Sequence, residues 1–379
     1  MNKKDQKILV VGGGFAGVRA VNKLRGLGYE PVLITKHAHW VFLPLLPEVA
    51  GGALLPEDIT FDYNDCLQKN SSIIYGEANN LNLVKHQLAV DNKILDFDYL
   101  VLAPGAKPMN FFPQAEAIFL SGPKEALALK QKIKDGLAGN REVTASIIGA
   151  GPTGLELAFA LAAWGQKSSI GPSRLKVLMF TRGNTLDNIF GAGTNKLVDK
   201  LLIKSGIIKA GEPKEIINKK IITADGQEID SDELIIATGV RPNTDWLPKE
   251  MLDEKGYIKV DIFLKTLADE KILAIGDAAA VIGHTPTKLA QVAVQQAVIA
   301  AGNIDKLIKR RPLKIYRQSI KGVFLSLGSS RALGRIGKWH WQGISAWLVW
   351  RLIYLLNIFG FKNKIKSAQA WTDEFLRHR

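Results

Sequence analysis

The sequence predicts an α/β protein built from two Rossmann-like units and a helical segment that follows them. The pattern G-x-G-x-x-G occurs twice, at Gly12–Gly17 and at Gly149–Gly154, and each copy lies between an apolar strand and a helix. A later apolar strand ends in Gly276-Asp277 and returns the chain to the first unit, so the second unit is expected to be inserted in the first. An apolar run interleaved with Trp then extends from Gly343 to Phe359.

Composition excludes several classes of protein. A chain of 379 residues has room for two domains and an appendage. The single cysteine, Cys66, excludes a disulfide framework, a cysteine-based metal cluster and a two-cysteine redox cycle within one chain. No metal site is expected, because His37 and His39 have no acidic or Cys neighbours at ligand spacing. The net charge of +14 calls for an anionic partner, but nucleic acid is not expected without a zinc-finger spacing, an RRM signature or an Arg-rich arm.

The first glycine loop follows a strand at Ile8–Val11 and precedes a helix that runs to about Leu27. Gly12 permits the tight turn, Gly14 lets the backbone approach a pyrophosphate, and Gly17 lets the helix pack on the strand. The N–H groups at the start of the helix face the phosphates. This loop is therefore expected to bind a dinucleotide.

The strand after that helix departs from the fingerprint. An acid for the ribose hydroxyls should end it, but Thr35 and Lys36 stand there instead. Adenosine binding is therefore expected to be weaker or arranged differently, with Glu48 or Glu77 as candidates for compensation.

Two further stretches of the first unit are candidates for cofactor contact. The stiff, apolar run Phe42–Leu46 suits a flat ring system, although an ordinary core loop is the alternative. The strand at Asp98–Leu102 ends in the turn Ala103-Pro104-Gly105, which should lie against the same dinucleotide.

The second glycine loop repeats this arrangement. A helix at Pro123–Lys134 leads to a strand at Thr144–Ile148, and the helix after the loop runs to Trp164. Two such fingerprints in the correct context predict two dinucleotides. The unit closes at Leu234–Gly239 with a turn similar to the one at Gly105.

Two side chains bear on what the second loop binds. Glu156 is expected in the first turn of the helix, where it either faces the nicotinamide or only complements the helix dipole. No acid ends the strand Leu175–Phe180, and Arg182 stands close by. An Arg accommodates a 2′-phosphate, which favours NADPH slightly over NADH, unless Arg182 is a solvated loop charge.

Taken together, the motifs resemble the flavoproteins with two dinucleotide-binding domains. The closer resemblance is to the type II NAD(P)H:quinone oxidoreductases, or alternative NADH dehydrogenases, and it covers essentially the whole chain. It is carried by Phe42–Leu46, Gly276-Asp277, His284–Lys288 and Ala290–Gln295; the last is similar to the family's quinone-site pattern A-Q-x-A-x-Q. Thr35, Thr181 and Pro104 depart from the family pattern and put the cofactor preference in doubt more than the fold.

The resemblance implies a domain arrangement, a reaction and a set of site residues. Non-covalent FAD is expected in a discontinuous domain (1–110 and 264–330), NAD(P)H in 111–263, and membrane association in 331–379. The implied enzyme passes two electrons from NAD(P)H through FAD to a membrane quinone without pumping protons. The residues expected to bind the cofactors are Gly12, Gly14, Phe15, Ala16, Gly17, Thr35, Lys36, Pro44, Leu45, Ala103, Gly105, Gly149, Gly151, Pro152, Thr153, Gly154, Arg182, Thr238, Gly239, Gly276, Asp277, Lys288, Leu289 and Ala290.

Glu156, Lys288, Gln291 and Gln295 are expected to act in catalysis. Gln291 and Gln295 are four apart on one helix face, and an amide can donate to a quinone carbonyl without titrating. A helix surface that is merely rich in Gln is the alternative. Thr285–Lys288 is expected to cross near the isoalloxazine, where Lys288 stabilises negative charge on the reduced ring.

The run Gly343–Phe359 is too short to span a bilayer and holds one charge, Arg351. Trp347, Trp350 and Tyr354 on adjacent turns, with basic residues around them, suit an interfacial helix on an anionic membrane; a buried dimer or core helix is the alternative. A second amphipathic piece is expected at Ala370–Leu376. A peripheral membrane protein on a cytoplasmic, stromal or matrix-type face follows, and the resemblance adds a homodimer.

Two alternatives to the quinone reductase are open. A sulfide:quinone or disulfide reductase on the same fold needs paired cysteines, which this chain lacks. A flavoprotein that binds NAD(P)H without turnover, as a sensor or an electron-transfer partner, is the other.

Overall fold

The computed structural model describes residues 3–138, 141–167, 174–183, 186–284, 287–328, 330–359 and 361–376. These residues form two compact units. The first comprises Met1–Trp40, Phe61–Lys107 and Val240–Ile320, and the second comprises Val41–Thr60, Pro108–Gly239 and Lys321–Arg379. The domain bounds given above, which assign cofactors to segments, stay a prediction.

The strands and α-helices of both units are given in chain order. The strands are β1 (Ile8–Val11), β2 (Val32–Thr35), β3 (His39–Val41), β4 (Thr60–Asp62), β5 (Ser72–Tyr75), β6 (Ala78–Asn82), β7 (Gln87–Val90), β8 (Lys93–Asp96), β9 (Tyr99–Leu102), β10 (Ala106–Pro108), β11 (Val143–Ile148), β12 (Leu175–Phe180), β13 (Ile207–Lys209), β14 (Pro213–Ile217), β15 (Lys220–Thr223), β16 (Glu228–Asp230), β17 (Glu233–Ile236), β18 (Val240–Pro242), β19 (Ile258–Val260), β20 (Ile272–Ala274), β21 (Ala279–Val281), β22 (Val323–Ser326), β23 (Ala332–Ile336) and β24 (Trp339–Gly343). The helices are α1 (Phe15–Gly26), α2 (Leu46–Ala50), α3 (Tyr63–Cys66), α4 (Pro123–Leu137), α5 (Pro152–Lys167), α6 (Leu186–Phe190), α7 (Thr194–Lys204), α8 (Ala290–Ile308), α9 (Ile344–Asn357) and α10 (Phe361–Leu376).

The first unit is organised around a parallel sheet in the order β20-β9-β1-β2-β5. All four residues of β1 are buried, as expected for a strand that is covered on both faces. Helices α1 and α8 pack against each other, and the Tyr29 hydroxyl beyond α1 donates to Asp305 Oδ1 of α8 at 3.0 Å. An antiparallel meander, β6-β7-β8, lies between β5 and β9 in the chain.

The second unit repeats this plan with a parallel sheet in the order β13-β12-β11-β17. Strand β11 leads into the second glycine loop as β1 leads into the first, and the meander β14-β15-β16 corresponds to β6-β7-β8. The predicted α/β class and the internal repeat are therefore confirmed. The unit also contains an antiparallel sheet, β22-β23-β24, followed by α9 and α10.

The C-terminal helices differ from the expectation in which side chains they expose. Trp347 and Trp350 are 4% and 1% exposed, so they belong to the core of the second unit, and their prediction as membrane anchors is wrong. The exposed apolar side chains of α9 are Ile344, Leu348, Leu352 and Leu356. Helix α10 begins at Phe361, nine residues before the predicted amphipathic piece, and its Phe375 side chain lies outside the described residues. Within the described ranges, no helix is long and apolar enough to cross a membrane.

Candidate cofactor and substrate sites

The first glycine loop has the steric pattern that a dinucleotide requires. Gly12 has φ +102°, and a Cβ there would lie 2.0 Å from the carbonyl oxygen of Ala103. A Cβ on Gly17 would lie 1.8 Å from the carbonyl oxygen of Gly12, which fixes the close approach of α1. A Cβ on Gly14 would meet no protein atom within 4 Å. The chain is therefore tight at Gly12 and Gly17 and open at Gly14, where a pyrophosphate would approach.

The second loop shows the same pattern. Gly149 has φ +115°, and a Cβ there would lie 2.5 Å from the carbonyl oxygen of Ala237. A Cβ on Gly154 would lie 2.0 Å from the carbonyl oxygen of Gly149, whereas one on Gly151 would meet nothing within 4 Å. Pro152 and Thr153 are exposed in the first turn of α5, beside this open position.

The turns that close the two units are also open. Gly105 has φ +71° and Gly239 has φ +105°, and a Cβ on either would meet nothing within 4 Å. The amide of Ala103 donates to the carbonyl of Val11, which keeps this turn beside the first glycine loop. In the second unit the Thr238 hydroxyl donates to the carbonyl of Met109 at 3.0 Å.

A hydroxyl network occupies the place of the missing ribose-binding acid in the first unit. Thr35 is 3% exposed, its hydroxyl lies 3.2 Å from the hydroxyl of Tyr63, and it accepts from the amide of His37. The Tyr63 hydroxyl donates to the carbonyl of Gly13 at 3.1 Å. Sequence reasoning missed Tyr63 because it lies 28 residues beyond Thr35.

The two acids proposed as replacements differ in their surroundings. Glu77 forms an ion pair with Lys36, with 2.6 Å between Oε1 and Nζ. Glu48 is buried in the second unit, where Oε2 accepts from Arg351 and Trp371. The prediction that Glu48 compensates for the missing acid is therefore wrong.

A cavity of about 340 Å³ lies in the first unit. Its lining residues are Gly276, Asp277, Ala279, Val281, His284, Thr287, Lys288, Gln296, Tyr316, Arg317 and Gln318. Burial raises the pKa of Asp277, and the nearby Lys288 ammonium acts in the opposite direction. Gly276, at φ +73°, donates its N–H to Oε1 of Gln296 at 2.7 Å. The cavity thus presents one carboxylate, two cationic side chains and two side-chain amides, a set of polar groups that suits a polyhydroxylated ligand.

The segment after this Gly-Asp pair is only partly described. Thr285 and Pro286, which were expected to cross near the isoalloxazine, lie outside the described residues. The ammonium of Lys288 donates to the carbonyl of Val240 and lies 5.5 Å from the ring centroid of Tyr257. Leu289 is the N-cap of α8 and Ala290 its first residue.

The two predicted quinone-site glutamines lie on α8 but differ in their surroundings. Gln295 Nε2 donates to the carbonyl of Ser319 at 2.6 Å, and its Oε1 accepts from the amide of Ser319 at 3.1 Å. Gln291 is half-buried. Neither Gln291 nor Gln295 is among the described residues that line the 340 Å³ cavity, whereas Gln296 is one of them. Sequence reasoning placed no role on Gln296, Tyr316, Arg317 or Gln318.

Glu156 lies in the second unit, at the fifth position of α5 rather than in its first turn, because the helix begins at Pro152. Its Oε1 accepts from the amide of Ser326 at 3.1 Å. Burial raises the pKa of Glu156 to about 8, the Ser326 hydrogen bond opposes this, and the Glu48 carboxylate adds to it. A carboxyl group that is largely protonated at neutral pH can donate a proton as well as a hydrogen bond.

Other predicted residues of the second unit take less specific positions. Pro44 lines a small cavity together with Glu48 and Glu156, whereas Leu45 is fully buried, so the alternative of a core loop holds for Leu45. Arg182 is exposed and lies 3.3 Å from Glu212. This placement leaves the choice between NADH and NADPH open.

Residues 6–297 match the family model of the pyridine nucleotide-disulphide oxidoreductases. The chain belongs to this family. The predicted resemblance is confirmed by a relative named as a type II NADH:quinone oxidoreductase of Mycobacterium tuberculosis, which is 26% identical over 98% of this chain and 87% of that protein.

Solved structures agree on the fold. NDH2 from Plasmodium falciparum in complex with NADH superimposes with a TM-score of 0.86 at 17% identity, covering 99% of this chain and 98% of that one. The sulfide:quinone oxidoreductase of Aquifex aeolicus matches with a TM-score of 0.78 at 20% identity, covering 93% and 90%. Both show that the predicted fold of two Rossmann-like units is correct, and neither decides the substrate.

Proposed function

We propose that this protein is a flavin-dependent NAD(P)H:quinone oxidoreductase of the type II class. The observation that carries the proposal is the pair of sterically matched glycine loops, one in each unit, which provides for two dinucleotides. Relatives that match nearly the whole chain are named for NADH and quinone, which supports this choice of donor and acceptor.

The residues of the first unit fit non-covalent FAD. Gly14 leaves an open approach for a pyrophosphate, and the cavity carboxylate of Asp277 can accept from the hydroxyls of a ribityl chain. Thr35 and Tyr63 provide hydroxyls at the edge where a ribose-binding acid is missing. When bound, the flavin supplies the two-electron chemistry that no side chain of this protein can perform.

NAD(P)H is proposed to bind at Gly149–Gly154, within the predicted domain 111–263. Glu156 is assigned to the nicotinamide end, where its carboxyl would orient the ring and exchange a proton. NADPH is slightly favoured over NADH, because no acid follows β12 to select a free 2′-hydroxyl.

Quinone reduction is assigned to the helix α8. Gln291 is proposed to donate to a quinone carbonyl, and Lys288 to place its positive charge where negative charge develops during reduction. Gln295 is proposed to contribute through the segment that it holds at Ser319.

Chemistry at a protein disulfide is not proposed, although the family name includes it. Cys66 is the only cysteine, it is buried, and burial raises the pKa of its thiol to about 12. A thiol with so high a pKa is a poor nucleophile at neutral pH. The chain therefore lacks the cysteine pair that the dithiol steps of sulfide or disulfide reductases require.

A peripheral position on a membrane is part of the proposal. The exposed leucines of α9 form an apolar stripe, and Lys338 lies on an exposed turn before it. Such a surface would bring the quinone site to the depth where hydrophobic quinones reside. The proposed reaction does not pump protons. A homodimer is proposed from the family resemblance alone.

The test is a steady-state assay of the purified yellow protein with NADH or NADPH and a panel of short-chain quinones. Quinone-dependent loss of the nucleotide's near-ultraviolet absorbance is expected with at least one donor. If the protein binds flavin and either nucleotide but reduces none of the quinones, a flavoprotein without turnover becomes the better assignment.

A further inference from the structure

Glu48 is a buried carboxylate for which the proposed electron transfer gives no role. It lies in α2 of the second unit and is 8% exposed. Its Oε2 accepts hydrogen bonds from Nη1 of Arg351 on α9 and from Nε1 of Trp371 on α10, each at 2.8 Å. Segments more than 300 residues apart in the sequence thus converge on one oxygen.

Arg351 is enclosed by aromatic rings as well as paired with Glu48. Its guanidinium carbon lies 4.8, 5.0 and 4.2 Å from the ring centroids of Trp347, Trp350 and Trp371. Indole faces stabilise a cation, and a guanidinium does not lose its proton in proteins. Glu48 therefore has a permanently charged partner.

Stability alone does not explain this pair. The desolvation of two buried charges consumes most of their attraction, and apolar residues of similar volume often stabilise a core as well or better. An ion pair at 2.8 Å in a core of aromatic rings places a fixed negative charge at Glu48, and the question is what that charge acts on.

Glu48 shares a cavity with Glu156. The cavity has a volume of about 20 Å³, which is room for a single water molecule, and both carboxylates line it together with Ser326 and Trp350. Three groups act on Glu156 from packed elements: Glu48 from α2, the amide of Ser326 from β22, and Tyr354 from α9. Of these, Glu48 is the one that carries a formal charge.

We propose that Arg351 and Glu48 are positioning residues that keep a proton on Glu156. Arg351 holds Glu48 ionised, and the ionised Glu48 disfavours a second negative charge across the same small cavity. The charge of Glu48 raises the pKa of Glu156 in addition to the effect of burial.

The use of this proton rests on the proposed function. Reduction of a quinone by NAD(P)H consumes one proton from solvent: NAD(P)H, H⁺ and quinone give NAD(P)⁺ and quinol. The hydride carries both electrons and one proton to the acceptor side. A protonated Glu156 is a group that can hold the second proton until the quinol forms.

The experiment follows the titration of Glu156 in the full-length flavoprotein by infrared difference spectroscopy, where a protonated carboxyl absorbs apart from a carboxylate. Glu156→Gln identifies the band. Glu48→Gln and Arg351→Met are each expected to move the titration to lower pH, by about one pH unit for a like charge at close range. Arg351→Lys keeps a cation, so its midpoint should stay close to that of the wild type. Lys200→Met on α7 is the control for the loss of one positive charge from the protein surface.

The proposal is overturned if Glu48→Gln leaves the midpoint of Glu156 unchanged, or if Arg351→Met leaves it unchanged or raises it. If Arg351→Met does not fold, Glu48→Gln and Arg351→Lys still decide, because Glu48→Gln preserves shape and removes only the charge. The readout needs no turnover, so a failure of the proposed quinone reductase activity would be seen separately in the steady-state assay.

Discussion

Gln295 and Ser319 are bonded in both directions, with the side-chain amide donating to the Ser319 carbonyl at 2.6 Å and accepting from its N–H at 3.1 Å. Two turns further along α8, Asn303 does the same with Lys314: Nδ2 donates to the carbonyl at 2.9 Å and Oδ1 accepts from the amide at 2.8 Å. Two side chains of α8 therefore hold the segment 314–319. Each donates to a backbone carbonyl and accepts from a backbone N–H of that segment, as a neighbouring β-strand would. The segment supplies three lining residues to the cavity beside Asp277.

Gln295→Ala should destabilise the protein, because it removes both hydrogen bonds to Ser319. Each lost hydrogen bond contributes about 0.5–1.5 kcal/mol, so the loss of two should lower the free energy of unfolding by about 1–3 kcal/mol. Gln291→Ala should instead raise the quinone KM, because Gln291 is the side chain proposed to donate to a quinone carbonyl. Denaturant unfolding and steady-state kinetics measure both. Asn303→Ala is the comparison and should cost more stability, because it removes the two bonds to Lys314 and a third to the Phe263 carbonyl. A rise in quinone KM without any loss of stability in Gln295→Ala would show that Gln295 contacts the quinone directly.

Gly14→Ala and Gly151→Ala should separate the two dinucleotide sites without unfolding the protein. A Cβ at either position meets no protein atom within 4 Å, so at most a small decrease in melting temperature is expected, from the weaker N-cap that Ala provides at Gly14. Gly14→Ala should weaken FAD retention, and Gly151→Ala should raise the NAD(P)H KM, each by about tenfold, or about 1.4 kcal/mol.

Gly12→Ala is the contrasting variant for that experiment. Its Cβ would lie 2.0 Å from the Ala103 carbonyl at a positive φ, so the apoprotein itself should be destabilised. Flavin absorbance, kinetics and thermal unfolding follow the three variants. Retention of FAD by Gly14→Ala together with a raised NAD(P)H KM would exchange the two assignments.

The glycine loops could be predicted from the sequence because their requirements are local. Gly12 and Gly149 need a positive φ beside a neighbouring strand, and the same six-residue pattern provides this in both units. The strand β12 was predicted at its observed bounds for a similar reason, since an apolar run between two turns specifies a buried strand.

Contacts between distant segments could not be predicted in this way. From the sequence, Arg351 was interpreted as a charge in an interfacial helix. Its partner Glu48 lies 303 positions earlier, and no residue near Arg351 in the sequence indicates that pairing. Once that partner is known, the burial of Trp347 and Trp350 follows, since their rings enclose the guanidinium. Tyr63 could not be predicted as the partner of Thr35, because their hydrogen bond depends on how the first unit folds.

Glu156→Gln should stabilise the protein at alkaline pH and have little effect at acidic pH. The folded-state pKa of Glu156 is raised from 4.5 to about 8, so the native state binds more protons than the unfolded state between these values. The stability provided by the neutral carboxyl is complete below pH 4.5 and is lost as the pH rises to about 8, by up to a few kcal/mol. Thermal unfolding at pH 5 and pH 9 measures the effect. A variant that is equally stabilised at both pH values would show that the charge of Glu156 is not the cause.

Asp277→Ala should release FAD, whereas Asp277→Asn should retain part of it. The carboxylate lies in the cavity beside Gly276 and opposite Lys288, and an Asn carbonyl oxygen can still accept one hydrogen bond from a hydroxyl. Flavin content after gel filtration and a fluorescence titration with added FAD measure the two variants. Ala279, on the same cavity wall, provides a control: Ala279→Ser changes the lining without removing a charge. Full FAD retention by Asp277→Ala would exclude the carboxylate from flavin binding.

The triple variant Leu348→Glu, Leu352→Glu, Leu356→Glu should abolish membrane association while leaving short-chain quinone reduction intact. The three side chains are exposed at intervals of four residues, so they form one stripe on α9, on a helix whose other side packs Trp350 into the core. Burying each leucine in the apolar part of a bilayer would contribute up to about 1.5–3 kcal/mol, and three carboxylates reverse that contribution. Co-sedimentation with phosphatidylcholine–phosphatidylglycerol vesicles and assays with long- and short-chain quinones measure the effect. Ile203→Glu, at a 78% exposed apolar position on α7, is the matched control and should bind vesicles as the wild type does. If the triple variant still sediments with vesicles, the stripe on α9 is not the surface that meets the membrane.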